Sequence, residues 1–205
     1  MAGQRKRAID SAGGARPTPR REFILETVGA MFASHGYEAT SMRDIGAAVG
    51  VMPATLYYHF PSKEDLFVTV VEESVAKIQR AVESAIEGIE DPWERLRAAL
   101  IAHVGALLDR EGFRVLVVLQ LPLGISAEAR QALIDHRKRF ERRFLPLLDP
   151  FVLPGRLTRS FARNFVLSLL NSIPIWYHAE GSASPRDVAD QLCDMIAPIF
   201  HDVRK

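Results

Sequence analysis

Hydroxyl, aromatic and basic side chains are concentrated in one segment of the sequence, residues 37–65. Within it, four such residues stand almost side by side: Thr55, Tyr57, Tyr58 and His59. Their hydroxyl groups and rings can hydrogen-bond to phosphate oxygens and base edges, or contact the methyl group of thymine. Residues of these types in so short a stretch favour recognition of a nucleic acid.

Basic residues lie on both sides of this stretch and are suited to binding phosphates. Arg43 precedes it and Lys63 follows it, and both residue types commonly contact the DNA backbone. Each residue also has a simpler interpretation. Lys63 can be a solvated charge, His59 a core histidine, and Tyr57 and Tyr58 half-buried aromatic side chains. The residue types by themselves leave these alternatives open.

Two short helices joined by a glycine turn are predicted to position these side chains. Ser41 and Asp44 have the spacing of a capping box, and Gly50 ends the helix that they begin. A second helix is predicted from Pro53 to about Phe60. This is the arrangement of a helix-turn-helix, whose second helix enters the major groove of DNA.

Apolar periodicity and helix start signals predict seven further helices. The sequence contains no alternating strand pattern with a hairpin turn. The predicted ranges are 19–36, 62–86, 91–108, 112–121, 126–144 or beyond, 157–179 and from 184 onward. The fold class expected is all-α with about nine helices. The valines in 112–121 also suit a strand.

Residues 37–66 resemble the DNA-binding domain of the TetR family of transcriptional regulators. The matching positions are Thr40, Ser41, Met42, Arg43, Ile45, Gly50, Val51, Thr55, Leu56, Tyr57, Tyr58, His59, Phe60, Ser62, Lys63, Glu64 and Leu66. The resemblance implies a helix-turn-helix domain over 18–65 and a helical ligand-binding and dimerisation domain over 66–205. Residues 1–17 are rich in Ala, Gly, Arg and Ser and lack periodicity, which predicts a disordered basic arm.

The resemblance also implies which residues contact DNA. Arg43 matches a phosphate contact at the start of the second helix, and Lys63 matches a lysine that grips a phosphate from the start of the fourth. The full set of expected DNA contacts is Thr40, Ser41, Arg43, Pro53, Ala54, Thr55, Tyr57, Tyr58, His59 and Lys63.

Three residues depart from the family pattern. Met52 stands where a serine usually caps the recognition helix, which is expected to cost about 1 kcal/mol, although Pro53 removes one unpaired donor. Ala54 replaces a common glycine, so base preference is expected to differ. Gly46 replaces a packing alanine and is expected to weaken its helix by about 1 kcal/mol.

The last two predicted helices carry long apolar rows. These rows are either part of the internal core or, as the resemblance implies, an isologous four-helix interface between two copies of the chain. A two-fold dimer would place two recognition helices about one DNA turn apart, or slightly more, which matches a palindrome. The expected interface residues are Phe161, Phe165, Leu169, Ile173, Val188, Leu192, Met195, Ile196 and Ile199.

Charged residues on an apolar helix face raise the question of a ligand. Arg137 and Glu141 fall in or beside the row of Leu133, Phe140 and Phe144. Either they pair with each other at i,i+4, or Arg137 faces a cavity and binds an anionic ligand. The expected ligand-binding residues are His103, Leu107, Phe113, Leu116, Gln120, Arg137, Phe140, Glu141, Phe165 and Trp176.

The C-terminal region is similar to a TetR subgroup that senses acyl-CoA or steroid-CoA compounds. The matching positions are Arg137, Arg139, Glu141, Phe144, Asn171, Trp176, Tyr177, Gly181, Ser184 and Pro185. Phe140 stands where the subgroup usually has tyrosine. A plain hydrophobic effector is the alternative to an acyl-CoA.

Composition and charge exclude several classes of protein. The chain has 205 residues and a formal net charge of +1, but residues 1–21 hold six basic residues and one acidic residue. This basic end is either a solubilising tail or an arm that reaches an adjacent DNA groove. Cys193 is the only cysteine, so an internal disulfide is excluded and a zinc site is not expected. No apolar run reaches the about 18 residues of a membrane span, and no secretory signal is expected.

The sequence therefore predicts a ligand-responsive dimeric repressor in the cytoplasm, with double-stranded DNA and a small molecule as partners and with no metal or cofactor. Two other functions compete with it. One is a helical enzyme or carrier, but no nucleophile-elbow, HExxH, P-loop or CxxC motif occurs. The other is an adaptor bundle that binds protein through its N-terminal domain. Effector, operator and regulated genes, and repression as against activation, are not determined by the sequence.

Overall fold

The computed structural model describes residues 19–108, 122–178 and 180–200, and every regular element in those ranges is a helix. The helices are α1 (Pro19–His35), α2 (Met42–Val49), α3 (Pro53–His59), α4 (Lys63–Ala85), α5 (Pro92–Leu108), α6 (Ala127–Leu148), α7 (Arg159–Trp176) and α8 (Pro185–Ile196), and a 3₁₀ turn (Ala197–Ile199) follows α8. The all-α prediction is confirmed. The helix predicted over 112–121 and the arm predicted over 1–17 lie outside the described residues.

Local signals at the helix ends account for most of these boundaries. Ser41 and Ser184 form capping boxes with acidic residues three positions later. Gly36 and Gly50 follow α1 and α2 with φ of +83° and +68°, a conformation that glycine adopts without strain. The prediction for α7 was too long, because the backbone is extended at Tyr177 and the helix ends at Trp176.

Two hydrophobic cores divide the molecule, and two helices run through both. Phe67 at the start of α4 and Leu133 at the start of α6 are buried in an N-terminal core with α1, α2 and α3. Val82 and Phe144, further along the same two helices, are buried in a C-terminal core with α5, α7 and α8. The N-terminal core therefore does not end at residue 65, because it includes the first turns of α6.

Gly46 allows a close approach in the turn between α2 and α3. A Cβ at this position would lie 2.8 Å from the Val51 carbonyl oxygen and 3.5 Å from the ring of Pro53. The Val51 N–H donates to the Gly46 carbonyl at 2.9 Å, which fixes the turn. The sequence suggested only that this glycine weakens α2, whereas the structure shows that a larger residue has no room.

We expect Gly46→Ala to lower the free energy of unfolding by about 2 kcal/mol, because the backbone of the turn must move to relieve the clash. Chemical denaturation measures this change. Gly105→Ala is the matched control. A Cβ at Gly105 in α5 meets no atom within 4 Å, so this change should stabilise the protein by about 0.5–1 kcal/mol. Equal effects at the two positions would contradict the steric argument.

Candidate nucleic-acid interface and effector site

Helix α3 presents its polar and aromatic residues to solvent. Leu56 and Phe60 anchor it in the N-terminal core with 1% and 9% exposure. Tyr57 is 50% exposed and Tyr58 is 85% exposed. His59 is also exposed, and its ring meets that of Tyr58 edge-on with centroids 5.1 Å apart. The alternatives of a core histidine and a half-buried aromatic therefore do not apply to His59 and Tyr58, whereas Tyr57 is half-buried.

The N-terminus of α3 lacks a side-chain cap, as the sequence predicts. Met52 occupies the N-cap position, makes no capping hydrogen bond and is 74% exposed. Pro53 follows it as the first helical residue. Ala54 and Thr55 are exposed beyond it, so they continue the outward surface formed by the aromatic side chains.

Three expected DNA contacts come from the region around the start of α2, and the structure separates them. Arg43 is exposed. The Ser41 hydroxyl donates to the Asp44 carboxylate at 2.5 Å and accepts from the Asp44 N–H at 3.2 Å. The Ser41 N–H also donates to this carboxylate, at 3.2 Å, and the two bonds to the carboxylate hold the pKa of Asp44 below its ordinary value. Thr40 is only 2% exposed, and its hydroxyl donates to the Gly36 carbonyl at 2.8 Å. The side chain of Thr40 is thus part of the interior rather than of the outward surface.

Lys63 holds the turn between α1 and α2. Its ammonium group donates to the carbonyl oxygens of Tyr37 at 2.8 Å, Thr40 at 3.0 Å and Glu38 at 3.4 Å. It also lies 4.3 Å from the centroid of the Tyr37 ring, a cation–π distance. The three donors of the ammonium group are directed at these carbonyls, so the side chain does not extend freely toward solvent.

We expect Lys63→Met to lower the free energy of unfolding by about 2 kcal/mol, because it removes charged hydrogen bonds but keeps the aliphatic stem. Denaturation gives the stability, and titration of DNA at several salt concentrations gives the salt slope. Arg43→Met is the comparison: we expect unchanged stability and a slope smaller by about 0.9, the value of one phosphate contact. A similar loss of slope for Lys63→Met, with full stability, would favour the phosphate contact that the resemblance implies.

His103 is a buried polar residue inside the C-terminal core. It lies on α5 with 1% exposure, and neither ring nitrogen has a hydrogen-bond partner of ordinary geometry among the described residues. The rings of Phe144 and Phe140 lie against it at centroid distances of 5.6 and 5.9 Å. Burial lowers the pKa of His103 to about 4, and the nearby Asn171 side chain acts in the opposite direction. The imidazole is therefore neutral at physiological pH.

Arg137 and Glu141 satisfy each other. The Arg137 Nε donates to Glu141 Oε1 at 2.8 Å, and the arginine side chain is 60% exposed. Glu141 also lies 4.0 Å from Arg163. Of the two alternatives that the sequence left open, the i,i+4 pair is present in the structure, and most of the Arg137 side chain is exposed to solvent.

The other expected ligand-binding residues fall into three groups. Leu107 is fully buried and Phe140 is partly buried against the C-terminal core. Phe165 and Trp176 are 43% and 54% exposed, so they belong to the surface. The remaining three lie outside the described residues: Phe113, Leu116 and Gln120.

Helices α7 and α8 leave an apolar face exposed to solvent. The rings of Phe161 and Phe165 stack at 6.3 Å with an 8° angle between their planes, and they are 57% and 43% exposed. Trp176 and Met195 are 54% and 67% exposed. Ile175, which the sequence analysis missed, is 69% exposed.

Four residues of the expected interface are instead part of the C-terminal core. They face α5 and the rest of the body and are Ile173, Val188, Leu192 and Ile196. Leu169 and Ile199 are partly buried against the same core. These four side chains are covered within one copy of the chain, and helical spacing alone does not tell which apolar residues of a helix point inward. Their place in an interface between copies stays a prediction.

A polar contact that sequence analysis did not find joins the start of α6 to the N-terminal core. Glu64 at the start of α4 accepts from the Ser126 N–H at 2.6 Å and from the Ser126 hydroxyl at 2.7 Å. Glu38 accepts from the Gly124 N–H at 3.2 Å. Ser126 caps α6 as predicted, with its hydroxyl accepting from the Ala129 N–H at 3.1 Å. Glu64 lies 62 residues earlier, too distant in sequence for a local signal to reveal this second contact.

Two kinds of feature are absent from the described ranges. They contain no group of three or more His, Cys, Asp or Glu side chains that could hold a metal ion. Within the same ranges, no helix is long and apolar enough to cross a membrane. Cys193 is buried and free, and burial raises the pKa of its thiol to about 11.

Sequence comparison matches both parts of the chain to known families. Residues 24–70 match the family described as bacterial regulatory proteins, tetR family. Residues 89–199 match the family described as tetracyclin repressor-like, C-terminal domain. The transcriptional repressor KstR2 of Mycobacterium tuberculosis is 27% identical over 177 residues, which are 84% of this chain and 88% of that protein.

Solved structures agree with these matches. PfmR, a TetR family regulator from Thermus thermophilus, is 29% identical with a TM-score of 0.73, covering 89% of this chain and 99% of its own. AibR, solved in complex with isovaleryl coenzyme A and operator DNA, has a TM-score of 0.70 over 89% of this chain and 99% of its own. At 23% identity, the likeness to AibR concerns the fold.

Proposed function

The chain belongs to the TetR family of bacterial transcriptional regulators, and on this premise we propose that it is a dimeric repressor. It binds a palindromic operator in the cytoplasm and is released by a small hydrophobic or acyl-CoA-like effector. The single observation that carries the DNA-binding part is the exposed polar and aromatic surface of α3, held by the buried Leu56 and Phe60. Membership of a family of regulators also argues against the enzyme alternative.

In the proposed complex, α3 reads the major groove. Thr55, Tyr57, Tyr58 and His59 supply the contacts to bases and phosphates, with Arg43 from α2 on the backbone. Pro53 and Ala54 lie close to the DNA at the start of the helix. The α2–α3 turn at Gly46 and the α1–α2 turn held by Lys63 together set the angle of α3 relative to the rest of the domain.

The exposed face of α7 and α8 supports the dimer. Phe161, Phe165, Ile175, Trp176 and Met195 are large apolar side chains with 43% to 69% exposure, and contiguous exposed apolar residues commonly mark a protein interface. Two copies related by a two-fold axis bury this face against itself. The dimer would then hold two recognition helices at one fixed spacing.

Release by an effector is proposed to act through α4 and α6. Both helices are buried in the N-terminal core at one end and in the C-terminal core at the other. The Glu64–Ser126 contact ties them together at their N-terminal ends, beside the N-terminal core. An effector that binds better to a different arrangement of these helices shifts the population away from the operator-binding spacing. A loss of about 100-fold in operator affinity requires about 2.7 kcal/mol of coupling.

We expect Glu64→Ala to loosen this connection. The Ser126 N–H loses a charged acceptor, which should lower the free energy of unfolding by about 2 kcal/mol. Amides of α2 and α3 should exchange faster in hydrogen-exchange mass spectrometry, because the N-terminal core is less restrained by α6. The control is Glu87→Ala, an exposed acidic residue beyond the end of α4. Unchanged exchange in α2 and α3 would show that the Glu64–Ser126 contact does not couple α6 to these helices.

Two observations bear on the chemical class of the effector. The acyl-CoA bound to AibR and the resemblance to CoA-sensing regulators support an acyl-CoA, whereas the aromatic and aliphatic surroundings of His103 suit any apolar effector. The repressors among its relatives, such as KstR2, support repression.

Selection from random double-stranded DNA by the purified protein at about 0.15 M salt tests the proposal. We expect a palindrome with half-site centres about one helical turn apart, or somewhat more. Its binding should weaken steeply with salt, because counterions are released from the phosphates. The Tyr58→Ala variant should recover the sequence less efficiently. Absent or salt-insensitive binding would favour the adaptor or carrier alternative.

A further inference from the structure

The unpartnered imidazole of His103 needs an explanation that the fold alone does not provide. It is 1% exposed, and among the described residues neither of its nitrogens has a hydrogen bond of ordinary geometry. Buried polar groups in proteins nearly always have a partner, and leaving one without a partner is destabilising. An apolar residue of similar size would fill the position between Phe140 and Phe144 at lower cost.

The surroundings of His103 restrict what its partner can be. Two phenylalanine rings cover the imidazole, and Asn171, an uncharged residue, is the polar side chain close enough to act on its pKa. Arg137, the cation that the sequence proposed for an anionic ligand, is paired with Glu141 and exposed. A carboxylate placed beside His103 would therefore be desolvated without a compensating positive charge, because Asn171 is uncharged and Arg137 is paired elsewhere.

We propose that His103, with Asn171, is the polar anchor of the effector site and selects an apolar effector that carries an uncharged hydrogen-bonding group. A neutral imidazole has one donor and one acceptor nitrogen, which suits the carbonyl of a thioester or ketone, or a hydroxyl group. The proposal rests on the proposed function, because it assumes that the C-terminal core takes an effector. It adds the chemical class of the group that is recognised.

Effector binding beside His103 is also linked through α6 to the N-terminal core, which holds α3. Phe140 and Phe144 both lie on α6, so a group that enters beside His103 displaces this helix. The other end of α6 holds Ala129 and Leu133 in the N-terminal core. Movement of one rigid helix therefore connects the anchor to the recognition helices.

The test compares three probes of similar chain length that differ in one group: methyl hexyl ketone, octanol and octanoate, with octanoyl-CoA as a fourth. Calorimetry and thermal shift are measured on the full chain, on His103→Leu, on His103→Gln, and on His178→Leu as an exposed control. We expect the unaltered protein to bind at least one uncharged probe or the thioester about tenfold more tightly than octanoate.

Each variant then has a distinct expected result. His103→Leu should weaken binding of that probe by about tenfold or more while leaving the melting temperature equal or higher, since a buried unpaired polar group is removed. His103→Gln, which keeps a neutral donor and acceptor, should retain most of the affinity, and His178→Leu all of it. In nitrogen NMR, the probe should shift the ring resonances of His103, which a purely structural histidine would not show.

Three results would overturn the inference: octanoate binding as tightly as the uncharged probes, His103→Leu binding like the unaltered protein, or no probe binding at all. Operator binding without any probe is measured in parallel. If it is intact, only the inference fails; if it is absent, the proposed function fails as well.

Discussion

Replacing Phe165 with glutamate is expected to convert the protein to a monomer and to lower operator affinity by at least about 100-fold, or about 2.7 kcal/mol. Phe165 stacks on Phe161 in the exposed apolar face of α7. In a two-fold dimer each substitution acts twice, because two glutamates meet at one isologous interface. Sedimentation velocity measures the oligomeric state, and fluorescence anisotropy with the selected operator measures affinity.

The control for this experiment is Leu123→Glu. Leu123 is 94% exposed and lies before α6, next to Gly124, whose N–H donates to Glu38 of the N-terminal region. We expect Leu123→Glu to remain dimeric and to bind the operator normally. Circular dichroism and the melting temperature should be unchanged for Phe165→Glu, since the side chain is already 43% exposed. A Phe165→Glu protein that stays dimeric would place the interface elsewhere.

Lowering the pH from 6.5 to about 4 is expected to cost about 3 kcal/mol of stability through His103 alone. Burial depresses the pKa of this histidine from 6.5 to about 4 in the folded chain. The unfolded chain therefore binds a proton in this range that the folded chain does not. The contribution of His103 is complete above pH 6.5 and is lost as the pH falls toward 4.

Urea denaturation across this pH range tests the expectation, with His103→Leu as the comparison. On acidification, the variant should lose about 3 kcal/mol less of its free energy of unfolding than the unaltered protein does. His136 provides an internal reference, since burial and the nearby Arg139 and Arg143 also lower its pKa and it is present in both proteins. Parallel pH profiles for the two proteins would show that His103 is protonated as easily in the folded chain as in the unfolded one.

Helix boundaries and the helix-turn-helix were predictable because their signals are local. A capping serine and its acidic partner lie three residues apart, as at Ser41 and Ser184, and the conformation of a residue such as Gly50 depends on its own backbone. The outward direction of α3 followed from the same reasoning, since burial of Leu56 and Phe60 leaves the residues between them exposed.

The roles of individual polar residues were less predictable, because they depend on partners far away in the chain. Lys63 is directed at carbonyl groups that lie 23 to 26 residues earlier, and Glu64 accepts hydrogen bonds from Ser126, the N-cap of a helix 62 residues later. Composition and residue spacing do not predict contacts between residues so far apart in the chain. Thr40 was assigned to the DNA-contacting set by its position in the motif, but the tertiary fold buries it against Gly36.

What the sequence determined by itself is the all-α fold, most of the helix ends and the outward direction of the polar residues of α3, since each depends on interactions within one or two turns. What only the tertiary structure decided is which apolar face of α7 and α8 is internal, how α6 is tied to the N-terminal core, and that His103 is buried without a partner among the described residues. Helical periodicity identifies an apolar face, but packing between distant segments decides whether that face is covered.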